Sequence, residues 1–252
     1  MMSRYILKAM DTLFNFIVIC CLFIMGIYAG FALWDNNRIY VAAENVQIEM
    51  AKIKPFRDEE GHFKFDELLA INGDICAWLE LDNTRVDYPI VQGDTNLVYI
   101  NRDIYGEFAL AGSIFLDARN DPGFNDVYNL MYGHHMDEGR MFGDLDLYKD
   151  ETFFLENKTG KLTLPDREYH LEIFACLLVA ASDDYICDVD VLKNDLEDVL
   201  RYAERNHLYL RSELIEELRG MDHPQVLAMS TCSSEFTDAR TVVLAVMRGG
   251  VG

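Results

Sequence analysis

The sequence predicts a mainly β domain, an antiparallel sandwich or barrel, with helices ahead of it and a helical insertion before its last two strands. Three observations predict it. Eight short apolar or alternating runs fall within about 175 residues after Asp74 and are separated by Gly, Pro, Asn and Asp, the spacing of an all-β fold. One stretch, Val191 to Leu218, breaks the pattern: Leu192, Leu196, Val199, Leu200 and Ala203 recur at helical spacing. Half of the 252 residues are hydrophobic and 12% aromatic, enough to bury a core in one domain of about 215 residues once an N-terminal apolar segment is set apart.

That segment comes first. Thr12 to Trp34 carries no charge over 23 residues, roughly 34 Å as a helix and enough to cross a bilayer core of ~30 Å. Arg4 and Lys8 precede it and only Arg38 follows closely, so the positive-inside rule places the N-terminus in the cytoplasm and the remainder outside. A cleaved signal peptide has a shorter apolar core followed at once by a small-residue site. "VAA" at Val41 to Ala43 lies too far downstream for that, and the segment reads as an uncleaved anchor. Expected boundaries are residues 1–11 cytoplasmic, 12–34 transmembrane, 35–64 a helical linker and N-terminal extension and 65–252 the β-barrel domain.

Beyond the anchor, Ile39, Ala42, Ala43, Val46, Met50 and Ile53 mark an amphipathic helix broken at Pro55, and "FDELLAING" a short helix ending at Gly73. The strand candidates are "ICAWLEL", "RVDYPIVQ", "GSIFLDA", "VYNLMY", "GKLTLP", "YHLEIFACLLVAA", "QVLAMST" and "TVVLAVMR". A net charge of −21 argues against nucleic acid as a partner, because phosphate contacts need clustered Lys and Arg. The seven carboxylates between Asp183 and Asp198 read as a solvated face. Of six cysteines, Cys20 and Cys21 lie in the apolar segment, no CxxC metal spacing occurs, and the spacing of Cys76, Cys176, Cys187 and Cys232 supports no particular disulfide.

"MSTCSSEFTDAR" ends one apolar run in Cys232 and starts the next at Arg240. Thiolate is the reactive form of Cys and needs a base or cation beside it. Among six histidines, His223 lies nine residues before Cys232 on the same run, about 30 Å away if extended and so out of reach. His170 opens a strand and His207 falls in the helical insertion. His134 and His135 follow "VYNLMYG" at another strand end, where Gly133 permits a sharp turn, matching the setting of Cys232. Arg240 offers a permanently charged planar fork for an oxyanion. If the two strands pair antiparallel, Cys232 and Arg240 face one pocket; alternatively Arg240 pairs with Asp238 or Glu235 at the surface.

These motifs resemble the sortase family. "MSTCSSEFTDAR" is similar to the signature in which a strand-end Thr-Cys is followed by Arg on the next strand. "LMYGHHMDEGRMFGDLDLY" resembles the His motif in its class B form, with Tyr-Gly-His and Met-Phe-Gly, and Ile71 to Asn120 resembles the class B N-terminal half. The resemblance runs from about Leu68 to Met247. His135 stands where relatives often have Asn, and Met229 where Leu is common.

The resemblance implies an eight-stranded sortase β-barrel and a membrane-anchored extracellular cysteine transpeptidase of a Gram-positive bacterium, needing no cofactor and no metal. Its partners are surface proteins with a C-terminal sorting signal, the amine of a peptidoglycan precursor, and the lipid bilayer. It implies Cys232 as nucleophile, His134 as acid and Arg240 as holder of substrate and oxyanion. The backbone N–H of Ser233 is a second oxyanion donor, and Asn96, Ile100, Tyr132 and Ser230 line the peptide groove. Alternatives are a pilin-polymerising sortase, disfavoured by the missing lid and second span, a secreted hydrolase using the same site, and a tethered barrel with a dead site. A metal site from His134, His135, Asp137 and Asp144 is disfavoured, because adjacent residues of a strand point to opposite faces.

Overall fold

The computed structural model describes residues 2–58, 63–180, 183, 185–232 and 239–249. The chain divides into two compact units, residues 1–42 and 43–252. In the first, helix α1 (Met2–Ala51, continuing into the second) is apolar and long enough to cross a membrane over Ile6 to Ala51. No Pro interrupts the run before Pro55, and the apolar segment and the amphipathic stretch form one helix.

In the second unit, helix α2 (Asp66–Ile71) leads into a closed barrel, and helix α3 (Glu151–Glu156) precedes its fifth strand. Its strands are β1 (Ile75–Leu81), β2 (Asp87–Val91), β3 (Ile114–Leu116), β4 (Tyr128–His134), β5 (Thr159–Thr163), β6 (Glu168–Ala180), β8 (Val226–Cys232) and β9 (Ala239–Gly249). All eight expected runs form strands. The order is β5-β1-β2-β3-β4-β8-β9-β6, and β6 pairs back onto β5, leaving no open edge in the ring. Two pairings, β2 with β3 and β4 with β8, are parallel.

The region expected as one helical insertion is subdivided. Helices α4 (Val189–Leu192), α5 (Leu196–Asn206) and α6 (Ser212–Arg219) enclose a four-residue strand, β7 (His207–Leu210), which pairs with β6 outside the ring. "HLYL" is too short to carry a period of two between two helices. Asp195 caps α5 by accepting a hydrogen bond from the Asp198 N–H, and the His207 ring packs its Nδ1 against the Glu204 carbonyl at the other end (2.9 Å). His207 is thus the residue that ends the helix, rather than one inside it.

These helices cover one outer face of the barrel. Val199, Leu200, Ala203, Leu214 and Leu218 join one apolar cluster with Tyr128, Leu130 and Tyr132 of β4, Val226 and Ala228 of β8, and Val242, Leu244 and Val246 of β9. Every strand residue in that group has an even number, as the period of two requires. Positions 134 and 240 continue the same parity, so both fall on the helix-covered face, at the strand ends; Cys232 ends β8 between them, its side chain lying outside the described residues.

Candidate active site

His134 is the last residue of β4 and Cys232 the last of β8, and parallel register makes them direct partners. Strands β8 and β9 pair antiparallel with Ser230 opposite Val242. The same register carried two residues further sets Cys232 opposite Arg240. Three strand ends thus bring a His, a Cys and an Arg to one rim of the barrel. Ser233, Glu235 and Asp238 lie outside the described residues, as does the surface ion pair considered for Arg240.

The His134 ring is half-buried, and its Nε2 lies 2.7 Å from the Ile100 carbonyl. A carbonyl only accepts, so Nε2–H is the donor in this arrangement. Arg240 is also half-buried; its Nη1 donates to Cys187 Sγ at 3.1 Å, while its buried Nε has no hydrogen-bond partner among the described residues. A buried donor left open costs about 1–3 kcal/mol, which a ligand oxygen recovers.

Gly133, read above as permitting a sharp turn, has no left-handed backbone and lies within β4. Its role is room: a Cβ there would stand 2.8 Å from Phe142 Cδ2 and 3.2 Å from Ile114. The strand end carrying His134 rests on the Phe142 ring. The chain reverses after it, where Glu138, Gly139 and Met141 all have positive φ, and the Phe142 N–H donates to the His134 carbonyl (3.0 Å).

The expected groove residues are distributed unevenly. Ile100 touches His134 through its backbone. Both ends of the Asn96 amide are engaged, Nδ2 donating to Asp117 (2.9 Å) and Oδ1 accepting from the Ala118 N–H (2.8 Å). Tyr132 is buried against Phe115, and burial pushes its phenol far above the usual range. Ser230 is fully buried beneath the rim and donates to the Thr231 carbonyl (3.2 Å).

His135 points away from His134's surroundings, its Nε2 3.1 Å from Asp146. Asp144 accepts from the Arg85 N–H instead, so His134, His135, Asp137 and Asp144 do not converge. Among the described residues no three His, Cys, Asp or Glu side chains are grouped to hold a metal. Burial pushes the Cys76 and Cys176 thiols up to about 12, far from a reactive range.

Sequence reasoning missed Cys187, Arg119 and Asp146. Cys187 closes a 3₁₀ turn (Tyr185–Cys187) and sets its Sγ against Arg240, while its carbonyl accepts from Arg119 (2.7 Å), itself paired with buried Asp117. Cys187 is 53 residues from Arg240, and no spacing signals a contact made by a returning loop.

An eight-stranded closed barrel with an N-terminal helix and helices inserted ahead of the last two strands is the sortase fold. No family model matches the chain. It is 29% identical over 209 residues to sortase B of Listeria monocytogenes, 82% of each chain. Among solved structures, it is 37% identical to a Streptococcus pyogenes class B sortase involved in pilus biogenesis, covering 73% of this chain and 98% of that one with a TM-score of 0.65. A Staphylococcus aureus sortase B–substrate complex matches at 25% identity over 85% and 96%, TM-score 0.64. The chain belongs to the class B sortase family and is a cysteine transpeptidase.

Proposed function

We propose that the chain is anchored by residues 12–34 with its N-terminus in the cytoplasm, and that residues 65–252 work outside as the catalytic domain. There it cleaves a C-terminal sorting motif of surface proteins after Thr and passes the acyl group to an amine of the cell wall precursor. What supports this is the backbone pairing of His134 with Cys232 at the ends of β4 and β8, beside the start of β9 where Arg240 stands. The substrate complex of the S. aureus relative supports a peptide as ligand of this rim.

Cys232, as thiolate, attacks the Thr carbonyl carbon; the carbon–oxygen π pair moves to oxygen and a tetrahedral oxyanion forms. Arg240 stabilises it, its unspent Nε being the donor already desolvated for the purpose. The Ser233 N–H is the second donor. Collapse breaks the peptide C–N bond, and His134 supplies a proton to the departing amine. The acceptor amine then attacks the thioester, giving its proton to His134, and Cys232 leaves as thiolate. Ile100 holds the His134 ring in place, and Asn96, Tyr132 and Ser230 shape the groove from beneath.

The kinship with a sortase of pilus biogenesis favours a second reading, in which the amine belongs to another pilin subunit. Incubating the full chain with a Thr-containing sorting peptide and triglycine tests the main reading. We expect peptide–triglycine product from wild type and none from Cys232→Ala. Unchanged turnover in Cys232→Ala, or products of hydrolysis alone however much amine is added, would overturn it.

A further inference from the structure

Asp146 lies on the 3₁₀ segment Gly143–Lys149 and gathers residues that each adjoin one of the three just assigned. Its Oδ2 is 3.1 Å from Nε2 of His135, neighbour of His134. Its Oδ1 accepts at 2.7 Å from the hydroxyl of Thr241, neighbour of Arg240. The Thr241 N–H in turn donates at 3.1 Å to the hydroxyl of Thr231, neighbour of Cys232. Thr231 and Thr241 are buried. Positions 135, 231 and 241 have odd parity, so this chain of contacts lies on the opposite face of the sheet from 134 and 240.

The rim needs such a tie. The described backbone ladder between β8 and β9 stops at Ser230–Val242, two residues short of 232 and 240. Beyond it the two strand ends are linked by the Thr231–Thr241 contact; β8 is paired to β4 through Gly133–Thr231 and His134–Cys232, and Asp146 adds a side-chain link from Thr241 on β9 to His135 after β4. We propose that Asp146 is a positioning residue: acting through His135 and Thr241, it fixes the separation of the β4, β8 and β9 ends and thereby the reacting geometry. It touches none of the reacting groups. The proposal rests on the assignment of Cys232, His134 and Arg240 above. The competing account makes Asp146 a surface partner of Lys149 (2.7 Å, three residues apart) that only steadies its own turn.

The test uses the full chain in detergent and a fluorogenic Thr-containing sorting peptide that wild type cleaves. A misplacement of about 1 Å costs on the order of 10²-fold in rate. Asp146→Ala and Thr241→Val should therefore lower kcat by about 10- to 100-fold, with KM changed by less than about threefold. Asp146→Asn and Thr241→Ser keep the contact to Oδ1 and should restore most of kcat, while Lys149→Ala should match wild type. Near-wild-type kcat in folded Asp146→Ala or in Thr241→Val overturns the proposal, and so does a loss confined to KM or one reproduced by Lys149→Ala. If Asp146→Ala does not fold, the Thr241→Val and Thr241→Ser pair decides alone. Cys232→Ala run alongside must be inactive; activity there overturns the site assignment itself, whatever Asp146 does.

Discussion

His134 and Cys232 stand side by side as the final residues of two parallel strands, although 98 positions separate them in the chain. Parallel register alone brings these two strand ends together, with no turn between them. Position 135 falls on the other face, against Asp146.

That geometry separates the two adjacent histidines. His134→Ala should lose about 10²–10⁴-fold in formation of the acyl-enzyme, the usual worth of a positioned proton donor. His135→Ala should lose about 10-fold or less, because it removes one of the two links of Asp146 and leaves that to Thr241 in place. Rapid-quench measurement of acylation in both variants checks this, and equal losses or a greater loss at His135 would refute it.

Arg240→Lys should keep the charge and lose most activity, since one ammonium cannot hold both Cys187 Sγ and an oxyanion as the guanidinium fork does. Removing one oxyanion donor typically costs about 10²–10³ in rate. Single-turnover kinetics are the measurement, and near-wild-type turnover would show that charge alone suffices.

Thiol labelling should be selective. With thiols pushed up to about 12, Cys76 and Cys176 hold about 10⁻⁵ of their population as thiolate at pH 7. Brief iodoacetamide treatment followed by peptide mass mapping should find the adduct at Cys232 and almost none at those two. Predominant labelling of Cys76 or Cys176 contradicts the burial described here.

The His135–Asp146 contact sets a pH window. Its hydrogen bond to Asp146 raises the His135 pKa, against partial desolvation. Partial burial alone would raise the Asp146 carboxyl, but hydrogen bonds from His135, Lys149 and Thr241 outweigh it and hold it below the usual range. A raised His contributes stability that is present below about pH 6.5 and fades as pH climbs through the folded value; a lowered Asp contributes above about pH 4. The Tm difference between wild type and His135→Gln should therefore be largest near pH 5–6 and shrink above pH 7. A difference that grows toward pH 9 is the wrong sign for this pair. Both groups are about one-third exposed, so the effect is small and weaker in high salt.

Gly133→Ala should destabilise by about 1–3 kcal/mol, the cost of overpacking, because the new methyl meets the Phe142 ring. Thermal unfolding and acylation rate should fall together. Phe142→Leu in the same chain should recover part of both.

All eight ring strands could be read from alternation and turn residues, and the motif residues pointed to the rim. Three features were hidden, each for a physical reason. β7 is four residues long and sits between helices, where no period can be seen. Gly133 looked like turn chemistry, but its small size serves a contact with Phe142, nine residues on. Asp146 resembles any acidic residue of "GDLDLY", and its importance arises from β9 returning beside β4 through β8.

The placement of β8 and β9 between β4 and β6 also orders events during synthesis. Strands β1 to β6 are made first but leave a gap where the ring must close, and only the later β8–β9 ribbon fills it. Until that ribbon docks, the His134 strand end has neither a thiol nor a guanidinium beside it. Completion of the fold and assembly of the rim are therefore one event, so a partly folded chain has its His134 strand end without the partner strands.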